Sequence, residues 1–193
     1  MEIFGIPLQA FAGQLLLGLV NGSFYAMLSL GLAVIFGLLG IVNFAHGALS
    51  LIGAYVAWAS LEYLGLNYWF ALLLAPLVVG ALGLVTERFL VRPLYGRGID
   101  YPLLLTFGLS WVLIEAMRVA FGVEGLPSTT PPELRGAVDL GIGHFPKYRL
   151  FMIGATAVVV IALWLFLEKT RYGLIVRAGS RDGDICRVLG VDI

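Results

Sequence analysis

Charge is what this sequence has least of. Of its 193 residues only 12% are Asp, Glu, Lys or Arg, about half the share found in a soluble domain. None occurs from Ile3 to Leu61, a run of 59 residues. A soluble core needs a polar outer face, and too few polar residues are present to build one. The formal net charge is zero, and nothing in the sequence suggests nucleic acid. A single cysteine, Cys186, excludes an internal disulfide framework, and with the two histidines it makes no metal-ligand spacing. Met1-Glu2 lacks the basic segment that opens a cleavable signal peptide.

Catalytic motifs are missing too. The only lysines are Lys147 and Lys169. Lys169-Thr170 superficially looks like the end of a phosphate-binding loop, but Glu168 stands where that loop needs glycine. Trp164 occupies the place of its first glycine. There is no nucleophile elbow, no zinc-binding helix motif and no spaced carboxylate pair inside the apolar runs. Neither an enzyme nor a bound cofactor is expected.

What is present is apolar surface, 60% of the residues being hydrophobic. Residues 63–86, 101–114 and 150–167 are also uncharged. A crossing takes roughly 20 apolar residues, and in lipid every backbone group must be paired internally, which leaves helices. The expected fold is all-α, a polytopic transmembrane helical bundle forming one domain over 1–193. About five spans are expected, near 8–32, 38–60, 67–86, 102–121 and 148–167. An alternative divides the first stretch into three shorter spans, cut near Asn21 and Asn43.

The loops give orientation. Arg88, Arg92 and Arg97 fall after the third span, and Lys169, Arg171, Arg177, Arg181 and Arg187 after the fifth. The segment between, 122–147, holds only Arg135 and Lys147. Lys and Arg excess marks the cytoplasmic side, so 87–100 and 168–193 are expected inside and 122–147 in the periplasm. Five spans would put the N-terminus outside and six inside. Prolines 127, 131, 132 and 146 with several glycines punctuate the outer loop, and a short hairpin is expected around Ala137 to Ile142.

Within the apolar runs a few polar residues stand out. Asn43-Phe44-Ala45-His46-Gly47 sets an amide and an imidazole where polar groups are costly unless they face protein, water or a path. It reads either as a helix break beside a translocation route or as Asn43 capping a helix that starts near Gly47. Glu115 and Arg118, three apart, can meet on one helical face; a structural pair is favoured over an outer gate. Trp58, Tyr63, Tyr68 and Trp69 suit interfacial anchoring. Gly18, Gly22 and Ala26, four apart, suit close helix packing. The tail residues Arg177, Arg181, Asp182, Asp184 and Arg187 suit a solvated or docking helix face.

Gly22-Ser23-Phe24-Tyr25-Ala26, Gly31-Leu32, Ile35-Phe36-Gly37, Ile41-Val42-Asn43-Phe44-Ala45-His46-Gly47 and Gly53-Ala54-Tyr55 together resemble the N-terminal signature of branched-chain amino acid ABC transporter permeases. Glu87-Arg88 with Arg92-Pro93-Leu94 resembles that family's first basic loop. Thr170-Arg171-Tyr172-Gly173, Arg177-Ala178, Asp182 and Leu189-Gly190-Val191 resemble its main cytoplasmic loop. The family has further spans after that loop, so these residues correspond to its N-terminal portion. It also has alanines where Ile185 and Cys186 stand.

The resemblance implies a permease subunit of an ABC importer in the bacterial inner membrane, carrying branched-chain or similar amino acids. It implies as partners ABC ATPase subunits, a second permease subunit, a periplasmic substrate-binding protein and the lipid bilayer. It implies a coupling element at Arg177, Ala178, Asp182, Leu189 and Gly190; Asn43 and His46 are the residues expected along the path. The competing readings are a stand-alone channel or ion-coupled carrier, against which only His46 sits deep, and a truncated remnant that does not transport.

Overall fold

The computed structural model describes residues 2–3, 6–127, 130–139, 144–181 and 186. Among the described residues six α-helices dominate: α1 (Leu8–Leu39), α2 (Ala45–Glu62), α3 (Tyr68–Thr86), α4 (Asp100–Phe121), α5 (Lys147–Lys169) and α6 (Arg171–Arg181). They belong to two compact units, one of residues 31–128 and one of 1–30 with 129–193. Among the described residues four helical stretches, Ala10–Gly37, Tyr68–Leu94, Asp100–Phe121 and Lys147–Lys169, are long and apolar enough to cross a membrane. Leu77 and Leu84 of α3 stand 70% and 72% exposed, which suits side chains solvated by lipid tails.

The first helix runs further than expected. It passes through Asn21 unbroken and ends at Leu39, so neither the boundary near residue 32 nor the cut near Asn21 forms. An apolar run has no hydropathic boundary, and Gly31 and Gly37 remain helical. What stops the helix is Gly40. Its φ of 65° lies in the left-handed region open to glycine, and its N–H donates to Phe36 O at 2.9 Å. That is a left-handed C-cap.

The second expected span corresponds to α2, only 18 residues long. At about 1.5 Å per residue it rises about 27 Å. It is not among the four most apolar stretches, and its place explains why. Ala45, Ala48, Ile52 and Ser60 are buried, and α2 packs on both α3 and α4. A Cβ on Gly53 would sit 3.3 Å from Val79 Cγ2, so glycine sets a close approach of α2 to α3. Helix association in lipid depends on such close packing and on interhelical hydrogen bonds rather than on escape from water. A helix screened by its neighbours can therefore carry His46, Ser50 and Ser60.

Aromatic rings close the far end of this unit. Tyr55 stacks on Phe121 at 4.6 Å, and Trp58 meets Phe121 edge-on at 6.0 Å. Trp58 Nε1 donates to Pro127 O at 3.1 Å, so this tryptophan ties down the chain after α4 in addition to any interfacial role. Asn67 caps α3, its side chain accepting from Trp69 N at 3.4 Å.

The segment 87–100, expected as a loop, is helical through Leu94. Glu87–Val91 is a π-helical turn and Arg92–Leu94 a 3-10 turn. Charge marks where a chain meets water, and a helix can continue past that point. The true turn is short, with Gly96 and Gly98 at φ of 82° and 106°.

In the other unit the expected hairpin pairs Ala137–Asp139 (β3) with His144–Pro146 (β4), with Val138 opposite Phe145. Glu2–Ile3 (β1) pairs with Ile6–Pro7 (β2) at the chain's start. Gly18, Gly22 and Ala26 are exposed, and a Cβ added at either glycine would meet nothing within 4 Å. The packing partner expected for that stripe is thus absent among the described residues.

The α5–α6 corner is tightly built. Thr170 has extended backbone between the helices. Its Oγ1 accepts Gly173 N–H at 3.0 Å and donates to Phe166 O at 2.5 Å. The first contact is the capping bond from the residue before a helix to its third residue. A Cβ on Gly173 would overlap the carbonyl oxygens of Leu167 and Phe166, so only glycine fits. Arg177 Nη1 pairs with Glu168 Oε2 at 2.8 Å across the corner. Both groups are well exposed, so the pair contributes geometry more than energy.

We expect Gly173→Ala to cost about 1–3 kcal/mol through backbone overlap and Thr170→Ala about 1 kcal/mol through the lost cap. Thermal unfolding of the purified chain in detergent checks both. The outcome should be a larger fall in Tm for the glycine change.

Candidate functional site

The break between α1 and α2 is the most polar place in the apolar part of the chain. Ending α1 at Gly40 frees backbone groups, and each would cost several kcal/mol if buried and left unpaired. Two side chains take them up. Asn43 Oδ1 accepts Ala45 N–H at 3.0 Å, at the foot of α2. Thr106, fully buried in α4, accepts Phe44 N–H on its Oγ1 at 3.2 Å. The same hydroxyl has Leu103 O at 3.1 Å and Val42 O at 3.4 Å as acceptors for its single proton. Phe44 adds an edge-on contact with Phe107 of α4, ring centres 5.9 Å apart. No buried side-chain polar atom among the described residues lacks a partner.

His46 takes a different direction from Asn43. A Cβ on Gly31 would lie 2.5 Å from His46 Cε1 and 2.9 Å from Nε2. Gly31 therefore provides the space into which the imidazole packs, joining α2 to the last turns of α1. Ser50 Oγ donates to the His46 carbonyl at 3.0 Å.

Beside the break lies a cleft of about 300 Å3. Its wall takes Ile35 and Ile41 from one side, Asn43 from the break, Leu49 from α2, Gly80, Gly83 and Leu84 from α3, and Thr106 from α4. Glu87, Val91 and Tyr95 close one end. Glu87 Oε1 accepts Tyr95 O–H at 3.3 Å and faces Arg92 Nε at 3.4 Å. Burial, then the Glu87 charge and hydrogen bond, push the Tyr95 phenol above its ordinary value, with Arg92 opposing. The phenol therefore stays a donor to the carboxylate at neutral pH.

Of the expected path residues, Asn43 borders the cleft and His46 is not among its lining. Of the expected coupling residues, Arg177 pairs with Glu168, and Ala178 is exposed on α6. Asp182, Leu189 and Gly190 lie outside the described residues. Glu115 and Arg118 form an exposed pair at 3.0 Å, so the two residues meet on one helical face as their spacing allows. Thr106, Gly80, Gly83 and Glu87 were missed as site residues. A threonine inside an apolar helix gives no signal of its own, since it can satisfy itself on its own helix. No group of His, Cys, Asp and Glu among the described residues could hold a metal ion.

Four long apolar helical stretches among the described residues define a multi-pass membrane protein. The family model for the branched-chain amino acid transport system permease component matches residues 14–193, and the chain belongs to that family. It is 30% identical over 190 residues to the high-affinity branched-chain amino acid transport system permease protein BraD of Pseudomonas aeruginosa, covering 93% of this chain and 62% of BraD. It is 27% identical over 197 residues to LivH of Escherichia coli K12, named as a permease protein of the same kind of system, covering 94% of this chain and 63% of LivH. A probable branched-chain amino acid transport permease, LivH of Methanocaldococcus jannaschii, is 24% identical over 184 residues. The chain thus spans less than two thirds of the length of these curated relatives. No solved structure matches it significantly.

Thr106→Val keeps the shape of the side chain and removes the hydroxyl, stranding Phe44 N–H. The expected cost is about 1–3 kcal/mol. Thr106→Ser should stay within about 1 kcal/mol of the native chain. Denaturant titration in mixed micelles measures both, and an unchanged Val variant would show that the hydroxyl does not hold the break.

Proposed function

We propose that the chain acts as a membrane-spanning permease subunit of an ABC importer, moving branched-chain amino acids, or similar amino acids and amides, across the bacterial inner membrane. The observation that carries this is the family match, which extends from residue 14 to 193. It therefore includes both the broken-helix site and the α5–α6 corner. In this reading the chain hydrolyses nothing. Separate ATPase subunits bind and split ATP, a second permease subunit completes the pathway, and a periplasmic substrate-binding protein delivers cargo to the face that carries 122–147. Segments 87–100 and 168–193 face the cytoplasm, in keeping with their arginines.

The path runs past Asn43, with the break supplying the polar groups that cargo needs in place of water. His46 serves it by holding α2 against Gly31. Coupling falls to α6, with Arg177 and Ala178, and to Asp182, Leu189 and Gly190 beyond it. The exposed Leu174 and Ile175 give α6 an apolar contact for an ATPase groove. Its rigid corner, held by Thr170, Gly173 and the Arg177–Glu168 pair, passes a displacement of α6 directly into α5. ATP binding biases the two states only through such state-dependent contacts.

The test is leucine uptake by membrane vesicles that contain the transporter with its partner subunits. Uptake should require ATP, and Arg177→Glu should lower transport-coupled ATPase activity about fivefold or more. Glu168→Arg combined with Arg177→Glu should recover much of it, since the reversed pair rebuilds the corner. Uptake that continues at full rate without ATP would count against the proposal.

A further inference from the structure

The cleft beside α3 has a floor without side chains. Gly80 and Gly83 lie one turn apart on that helix and both border the cleft. A Cβ added at either would meet nothing within 4 Å. Glycine here does not serve close helix packing, as it does at Gly31 and Gly53, where an added Cβ runs into a neighbour. It leaves volume open. The walls above it, including Ile35, Ile41, Leu49 and Val91, are aliphatic. At about 300 Å3 the space lies at the small end of the range for ligand pockets.

One end of this apolar space is acidic. Glu87 borders it at the start of the π-helical turn Glu87–Val91, and such turns recur at functional sites because the inserted residue redirects a side chain. Tyr95 and Arg92 both contact the same oxygen, Oε1, at 3.3 and 3.4 Å. These contacts are longer than charge-assisted bonds usually are. An ionised carboxylate offers about four acceptor sites on its two oxygens, more than these two partners use. The carboxylate is thus held in place with acceptor capacity left over.

We infer that this cleft is the subsite for the cargo's aliphatic side chain, that Gly80 and Gly83 set the size of side chain admitted, and that Glu87 receives the ammonium group of the same molecule. The inference rests on the permease proposal above and adds the residues that determine specificity. An aliphatic side chain fits an apolar slot without leaving polar groups unpaired. A cation at Glu87 replaces the water that the carboxylate would otherwise hold.

The experiment measures uptake of leucine and of alanine side by side, by the transporter with its partner subunits in vesicles, for Gly83→Val, Gly80→Ala and Glu87→Gln. Nothing within 4 Å opposes a Cβ at either glycine, so the fold should survive, and Tm in detergent confirms it. Filling the slot by a few methyl groups should cut kcat/KM for leucine about tenfold or more while alanine changes little. Glu87→Gln should raise KM for both substrates about tenfold with kcat nearly unchanged, the mark of lost binding. Equal losses for leucine and alanine in both glycine variants, or no change in any variant while the native transporter carries leucine, would overturn the subsite and leave the permease proposal standing. A native transporter that carries no aliphatic amino acid would overturn both.

Discussion

A peptide group released by a helix break and turned away from water must find a partner within the protein, and the segment from Gly40 to Phe44 is such a break. The structure around it is set by how that cost is met. Gly40 ends α1 by entering the left-handed region. Asn43 takes the amide of Ala45, and Thr106 reaches over from α4 to take that of Phe44. The last of these bonds is the consequential one, because it joins residues 62 positions apart in sequence. It fixes α4 against the junction of α1 and α2, and the cleft is what remains between these elements and α3.

Glycine does three different jobs in this frame, and only the surroundings tell them apart. At Gly31 and Gly53 it lets a neighbour approach, the His46 ring in one case and Val79 in the other. At Gly173 it allows the chain to turn sharply against the end of α5. At Gly80 and Gly83 it leaves space vacant. The first two uses make rigid parts, and the third leaves the cleft open.

Much of the architecture was legible in the sequence because lipid imposes it. Charge-free runs gave α3, α4 and α5 nearly to the residue, and Asn43 was visible as a cap or a break. The end of α1 was not legible. Hydropathy is level from Gly31 to Val42, and among several glycines only Gly40 takes a positive φ, a choice made by the packing of Asn43, Phe44 and α2 just beyond it. The start of α2 was displaced for the same reason. Segment 87–100 was misread because arginines signal an aqueous boundary, whereas the helix persists through π and 3-10 turns to Leu94. In the site, Asn43 was anticipated and Thr106 was not. A residue whose role is to satisfy a backbone group far along the chain shows that role only once the helices are placed.

Amide hydrogen exchange at Phe44 and Ala45, monitored with the chain in lipid nanodiscs, tests the central claim most directly. If Thr106 and Asn43 hold the break closed, both amides should exchange as slowly as those in the interior of α2. If they exchange as fast as the amides of the exposed turn at Gly96 to Gly98, the break is open to solvent, and the cleft built on it does not persist.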